Sequence, residues 1–274
     1  MKIKFFCPYW GSNALSYTQF FNKVRDAGFN GVEMSLPLEK SEKSDILSKL
    51  NDFGLELIGQ HHETMDPDPL IHRNVFREYL YNLADARPLF INSQTGKDYF
   101  SFEDNASLIE VASQVEKETG IPVIHETHRG KYSFALHITR QYLEKIPGIK
   151  LGLDLSHWCN VSESLLNDQL TSLDLALKQT RHIHARIGYA EGPQISDPRL
   201  PEWSEPLNFH LSCWDKVVEN FIHMRKEFLT ITPEFGPYPY MFHLPFTKMP
   251  VADQWGINIY MKELLENRYR SITD

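Results

Sequence analysis

Glu118-Thr119-Gly120-Ile121-Pro122-Val123-Ile124-His125-Glu126 decides the reading of the fold. It joins the end of an amphipathic stretch, a glycine able to close a helix in the left-handed conformation, and a short apolar run ending in a carboxylate. The same unit recurs at Asp26-Ala27-Gly28 before Gly31 to Leu36, at Asp52-Phe53-Gly54 before Leu55 to Gln60, and at Ile146-Pro147-Gly148 before Lys150 to Leu155. Helices that repeatedly hand over to strands imply a parallel sheet, because parallel neighbours need a crossover between them. Runs at Ile3 to Pro8, Leu89 to Ser93, His182 to Ile187 and Leu229 to Glu234 bring the strands to eight, and the last helix is expected over about 253–269. Eight strand–helix units in 274 residues predict a closed (β/α)8 TIM barrel, with residues 1–274 forming one domain.

The charge balance, 28 Lys and Arg against 36 Asp and Glu for a net −8, argues against a protein that neutralises many phosphates, so no nucleic-acid partner is expected. Met1 to Trp10 holds only the brief apolar run Ile3 to Cys7, which fits neither a secretory leader nor a membrane span. Cys7, Cys159 and Cys213 are an odd number at unpatterned spacing and read as reduced thiols, so a cytoplasmic protein is expected. A homo-oligomer is compatible with the sequence.

Two long stretches lack a helical pattern: 188–209, with Pro193, Pro198, Pro201 and Pro206, and 235–250. They follow the seventh and eighth strands, where barrel enzymes build their active sites, and are expected to enclose a substrate.

Side chains alternate along a strand, which splits each late strand into a helix-facing and a barrel-facing set. The barrel-facing sets are Ile124, Glu126 and His128; Gly152 and Asp154; His182, His184 and Arg186; and Thr230, Thr232 and Glu234. Carboxylates crowded into a barrel mouth are costly unless a cation holds them together. Glu126, Asp154 and Glu234 with the His184 imidazole therefore read as ligands of one divalent metal ion. Three oxygens and a nitrogen suit Mn, Mg, Co or Zn.

These residues carry a family resemblance. Ile124-His125-Glu126, Gly152-Leu153-Asp154-Leu155-Ser156-His157, His182-Ile183-His184 and Pro233-Glu234-Phe235-Gly236 resemble the xylose-isomerase-like barrel superfamily, with its sugar isomerases, ketose 3-epimerases, inosose dehydratases and apurinic endonucleases. The resemblance implies that Glu126, Asp154, His184 and Glu234 bind one metal, that Glu126 and Glu234 also act as catalytic acid and base, and that His157 and Arg186 contact substrate oxygens. It implies an isomerase or epimerase of a small carbohydrate, with a dehydratase or lyase of a cyclic polyol or keto acid as the alternative. The endonuclease branch uses Asp-x-His after the seventh strand, where this chain has Asp197-Pro198-Arg199, and arginine cannot bind a metal.

Isomerising a sugar requires a proton to leave a carbon beside a carbonyl, and a cation flanked by two carboxylates suits that step. Trp10, Trp158, Phe235 and Tyr238 stand near strand ends where they could stack on a sugar. Of the pair His61 and His62 only one can face inward, and His62 is expected to contact substrate. His128, Arg129 and Lys131 read as a solvated loop in preference to an anion contact. Gly236 stands alone between Phe235 and Pro237, with no glycine-rich phosphate cradle after the late strands, which favours an unphosphorylated substrate.

Overall fold

The computed structural model describes residues 1–273. Eight parallel strands close into a barrel in chain order: β1 (Lys2–Pro8), β2 (Gly31–Met34), β3 (Glu56–His61), β4 (Ile91–Ser93), β5 (Val123–Glu126), β6 (Leu151–Leu153), β7 (Thr180–His184) and β8 (Phe228–Thr232), with β8 pairing back onto β1. The surrounding helices are α1 (Tyr17–Asp26), α2 (Lys40–Asp52), α3 (Pro69–Asp85), α4 (Phe102–Thr119), α5 (Leu136–Lys145), α6 (Leu155–Val161), α7 (Leu170–Gln179), α8 (Ser204–His223) and α9 (Gln254–Thr273).

The local chemistry explains the boundaries. Ser16 caps α1 in a reciprocal box with Gln19, and Asp68 caps α3 ahead of Pro69, whose missing N–H costs nothing in a first turn. Gly120 ends α4 at φ 73°, the left-handed closure expected of the stretch from Glu118 to Glu126.

Two expectations need correction. The stretch 188–209 is not helix-free: a 3-10 turn forms at Pro201–Trp203 and α8 begins at Ser204. Pro206 hides that start from a pattern reading, yet it lies in the first turn, where no backbone donor is required. The late strands are also shorter than the apolar runs. β7 ends at His184 and β8 at Thr232, so Arg186 and Glu234 lie just beyond them, while Asp154 leaves β6 to become the N-cap of α6.

The packing is layered. A large apolar cluster fills the space between barrel and helices, and includes Leu151, Leu153, Ile183 and Ile231. A second, smaller cluster of Phe6, Ile58, Phe90 and Ile124 plugs the barrel. Burying each of these four contributes roughly 1.5–3 kcal/mol. Above them the interior turns polar, beginning with His182, whose ring lies 5.4 Å from that of Phe90. The polar floor of the mouth thus rests on a dry plug. Cys7, Cys159 and Cys213 are all free and buried. Among the described residues no helix is long and apolar enough to cross a membrane.

Candidate active site

Glu126, Asp154, His184 and Glu234 converge at the C-terminal mouth, where one donor atom from each lies within 4.8 Å of the others. All four are buried. Their backbones are pinned: Ser133 Oγ donates to the Glu126 carbonyl at 2.6 Å, and Thr127 Oγ1 bonds both the Asp154 carbonyl and its amide, at 2.9 and 2.8 Å. Asp154 Oδ1 accepts from the Ser156 amide and hydroxyl, leaving Oδ2 toward the mouth.

Glu33, on β2, is a residue that strand-end reasoning did not select. It is completely buried below the four. Its oxygens accept from His184 Nε2 at 2.9 Å, His182 Nε2 at 3.1 Å, Asn92 Nδ2 at 2.8 Å and Thr232 Oγ1 at 2.6 Å. Four donors fill the lone pairs of a carboxylate. The two imidazoles hold Glu33 well below the usual carboxylate range, against the opposing effect of burial, so it stays ionised. An ionised Glu33 at Nε2 fixes the His184 ring and turns Nδ1 toward the carboxylates, the arrangement that carboxylates impose on metal-binding histidines. Asn92 reaches this position because residue 152 is glycine; a Cβ there would stand 2.3 Å from Asn92 Oδ1.

His184 Nδ1 lies 3.0 Å from Glu234 Oε2 and 3.8 Å from Glu126 Oε1, yet it makes no aligned hydrogen bond. A buried imidazole nitrogen without an aligned partner, facing three carboxylates, is what a cation would satisfy. Oxygen donors with one imidazole suit a divalent ion of the hard to borderline class. Glu33, His182 and His184 form a second close trio, but their mutual hydrogen bonds already consume those donor atoms.

Burial lifts Glu126 to about 8, and the Glu234, Asp154 and Glu33 charges add to the rise while His184 opposes it. Glu234 moves the other way: burial would raise it, but His184 and Arg186 bring it below the ordinary value. Gln94 Nε2 reaches Glu126 Oε1 at 3.2 Å and Gln60 Nε2 reaches Glu234 Oε1 at 3.5 Å.

Arg186 is fully buried among these groups. Its guanidinium pairs with Asp154 Oδ2, donates to His157 Nε2 at 2.8 Å and Ser156 Oγ at 3.1 Å, and lies 3.5 Å from Glu234 Oε2. Since arginine always donates, His157 carries its own proton on Nδ1, a buried position without a partner. Burial and the neighbouring cations keep that ring neutral.

A cavity of about 270 Å³ opens above the cluster, with Glu126, Glu234, Arg186, His62, Gln94 and Trp10 in its lining. His62 faces it, while His61 turns outward onto Phe76 and bonds Ser93 and Thr64. Of the aromatic residues singled out above, Trp10 lines the cavity. Trp158 is buried with its indole N–H donated to the Ser133 carbonyl, Phe235 is buried, and Tyr238 is 67% exposed away from the lining. Tyr240, missed in the irregular stretch 235–250, lines the cavity instead, 4.7 Å from the Arg186 guanidinium and edge-on to Trp10. Trp10 in turn packs against Gly236, where a Cβ would meet the ring at 2.0 Å. The solvated-loop reading of 128–131 is overturned at Lys131, which is only 5% exposed, and His128 lines the cavity.

Comparison of the sequence with protein-family models and with curated proteins finds no match. Solved structures share the (β/α)8 barrel fold over nearly the whole chain at low sequence identity. A 3-keto-D-glucoside 4-epimerase from E. coli is similar at TM-score 0.64 and 14% identity, over 97% of this chain and 100% of that one. A probable 3-DHS dehydratase from Bacillus anthracis reaches 0.60 at 18% identity, over 98% and 100%. An AP endonuclease of family 2 from Brucella melitensis reaches 0.58 at 15% identity, over 86% and 93%. Such likenesses carry the fold, and the chemistry has to be argued from the site.

Proposed function

We propose that the protein is a divalent-metal-dependent isomerase or epimerase of a small carbohydrate. The observation that carries this reading is the pair Glu126 and Glu234: two buried carboxyls that both approach His184 Nδ1, at 3.8 and 3.0 Å, and are pushed in opposite directions by their surroundings. Environments that split two neighbouring carboxyls in this way mark acid and base roles. Glu126, Asp154, His184 and Glu234 would hold the cation, which when bound polarises a carbonyl and makes the adjacent C–H more acidic.

The chain's own residues supply the rest. Glu234, the carboxyl held low, takes the proton from one face of the carbon beside the carbonyl. Glu126, the more easily protonated of the two, would regain from solvent the proton that the cation displaces and deliver it to the other face. Gln60 and Gln94 steady the two carboxyls through their amide donors. Arg186 and His62 present N–H groups to substrate oxygens, with His157 Nε2 accepting from Arg186 outside the cavity lining, while Trp10 and Tyr240 wall the cavity with rings that exclude water and suit the C–H face of a sugar. Asp197, the position where an endonuclease would need a further ligand partner, is bound instead by the Arg199 guanidinium at 2.8 and 2.5 Å.

Incubating metal-loaded protein in deuterated water with ketoses and cyclic polyol ketones tests the proposal. Deuterium should appear beside the carbonyl of at least one of them. Glu126→Gln and Glu234→Gln should each abolish net epimerisation, with one of the two still washing in deuterium from its remaining competent face. Water loss in place of isomerisation would assign the site to the dehydratase alternative, and full turnover in both variants with metal bound would remove the mechanism.

A further inference from the structure

Beside the cavity, the loops after β4 and β5 are stitched together backbone to backbone. The Tyr132 amide donates to the Thr95 carbonyl at 3.2 Å and the Asp98 amide to the Gly130 carbonyl at 3.4 Å. These bonds bracket Lys97 on one loop and Lys131 on the other, so the two lysines are brought face to face. Both are buried, at 7% and 5% exposure. Asn105 fixes the Lys97 backbone from both sides, donating to its carbonyl at 2.9 Å and accepting from its amide at 3.2 Å.

Neither ammonium is in direct contact with a carboxylate among the described residues, although Glu126, Glu63 and Asp98 act on Lys131 from farther off. Lys131 Nζ has no hydrogen-bond partner among the described residues, and Lys97 Nζ has the Met65 sulfur at 3.5 Å, a weak acceptor. Neither lysine forms an ion pair among the described residues. Behind them, burial lowers His61 and His72, and the Lys131 charge adds to the effect at both. Two buried cations without a partner are costly, and a protein retains them where a ligand brings the missing charge. The Met65 side chain covering Lys97 is 62% exposed and flexible, so it is free to swing aside. His62, Gln94 and His128, which line the cavity, belong to the same three loops.

We propose that Lys97 and Lys131 form an anion subsite that takes a carboxylate or phosphate group at the end of the substrate remote from Glu126 and Glu234. The subsite rests on the reading of the cavity as the place of a polyhydroxylated substrate. It narrows that substrate to a sugar acid or a sugar phosphate. Burial and Lys97 bring the Lys131 ammonium down to about 8, while Glu126, Glu63 and Asp98 act in the opposite direction, so an arriving anion would restore its full charge.

The test is direct binding of two probes, inorganic phosphate and D-gluconate, to metal-loaded protein, read by calorimetry and by the thermal midpoint. The wild type should bind at least one of them, phosphate pointing to a phosphorylated substrate and gluconate to a sugar acid. Lys131→Met and Lys97→Met should each weaken that binding by about tenfold or more. Methionine keeps the volume and removes an uncompensated charge, so either variant should unfold at the same temperature as the wild type or higher when no anion is present. The subsite is wrong if neither probe binds the wild type, if both variants bind within about twofold of it, or if both unfold at a lower temperature, which would make the lysines structural. Because binding needs no turnover, anion binding without any deuterium exchange would retain the subsite and remove the epimerase reading, and the reverse result would do the opposite.

Discussion

Strands β5 to β8 lead into Glu126, Asp154, His184 and Glu234, whereas β2, β3 and β4 contribute Glu33, Gln60, Asn92 and, one residue past β4, Gln94. The late half of the barrel supplies the groups suited to a cation, and the residues around the cavity that would contact substrate come from both halves. The early half supplies the groups that hold the late ligands: Glu33 accepting from His184 Nε2 and itself held by the Asn92 amide, Gln94 on Glu126 and Gln60 on Glu234. One half is built to react and the other to orient. Mutations in the two halves should therefore differ in kind as well as in size.

The largest effects belong to the late half. His184→Ala and Asp154→Asn should each lower metal affinity by more than about 100-fold, beyond the range seen when supporting residues are lost. Asn is itself a good N-cap, so Asp154→Asn should keep α6 formed and the protein folded. Elemental analysis after reconstitution decides it, and unchanged occupancy in both variants would break the division of the barrel into two halves.

An intermediate effect is expected from Glu33→Gln. The variant keeps the shape but turns an N–H₂ toward donors that need an acceptor, releasing the His184 ring from its fixed tautomer. Metal affinity should fall by roughly 10–100-fold with the four ligand residues intact. A loss as large as that of His184→Ala would show that Glu33 does more than orient, and no loss would show that the His184 ring does not depend on the Glu33 charge.

This asymmetry also explains what the sequence could show. The barrel and the late ligands were legible because helix, glycine and strand repeat, and because charged residues at inward parity on consecutive strands are conspicuous. Glu33 has the same inward parity on β2, but a single carboxylate between Val32 and Met34 has no partner in sequence; its partners, His182 and His184, lie about 150 residues away. Gln60 and Gln94 are uncharged, and nothing short of the closed barrel brings them to the glutamates. Tyr240 and the start of α8 were hidden by proline-rich stretches in which periodicity fails. Lys131 looked solvated because a basic run after a strand usually is, and its burial depends on the stitching of its loop to the one after β4.

The smallest effect, and the sharpest test of how the two halves cooperate, is the pH dependence of metal binding. Burial and the surrounding carboxylates raise Glu126 to about 8 from an ordinary 4.5. Burial alone would lower His184, but Glu234, Glu33 and Glu126 overcome it and push the imidazole well above 6.5. Both groups hold protons near neutrality that a cation must displace, so affinity should rise with pH, by roughly tenfold per unit for each proton released. Folding without metal has the opposite dependence. Between about pH 4.5 and 8 the folded chain keeps a proton on Glu126 that the unfolded chain has released, so that contribution to stability falls as pH rises. His184 acts in the same sense, its contribution being complete below 6.5 and lost as pH climbs through its raised value. The thermal midpoints of metal-loaded and metal-free protein should therefore separate progressively from pH 6 to pH 8. Calorimetric titration in buffers of different ionisation enthalpy counts the protons released. In Glu126→Gln the count should drop by about one, because that carboxyl no longer contributes, while Glu33→Gln should reduce the His184 share by removing one of the charges that holds its proton. A count near zero in the wild type would mean that the cluster binds its cation without displacing protons, and that the opposed shifts of Glu126 and Glu234 have no bearing on its chemistry.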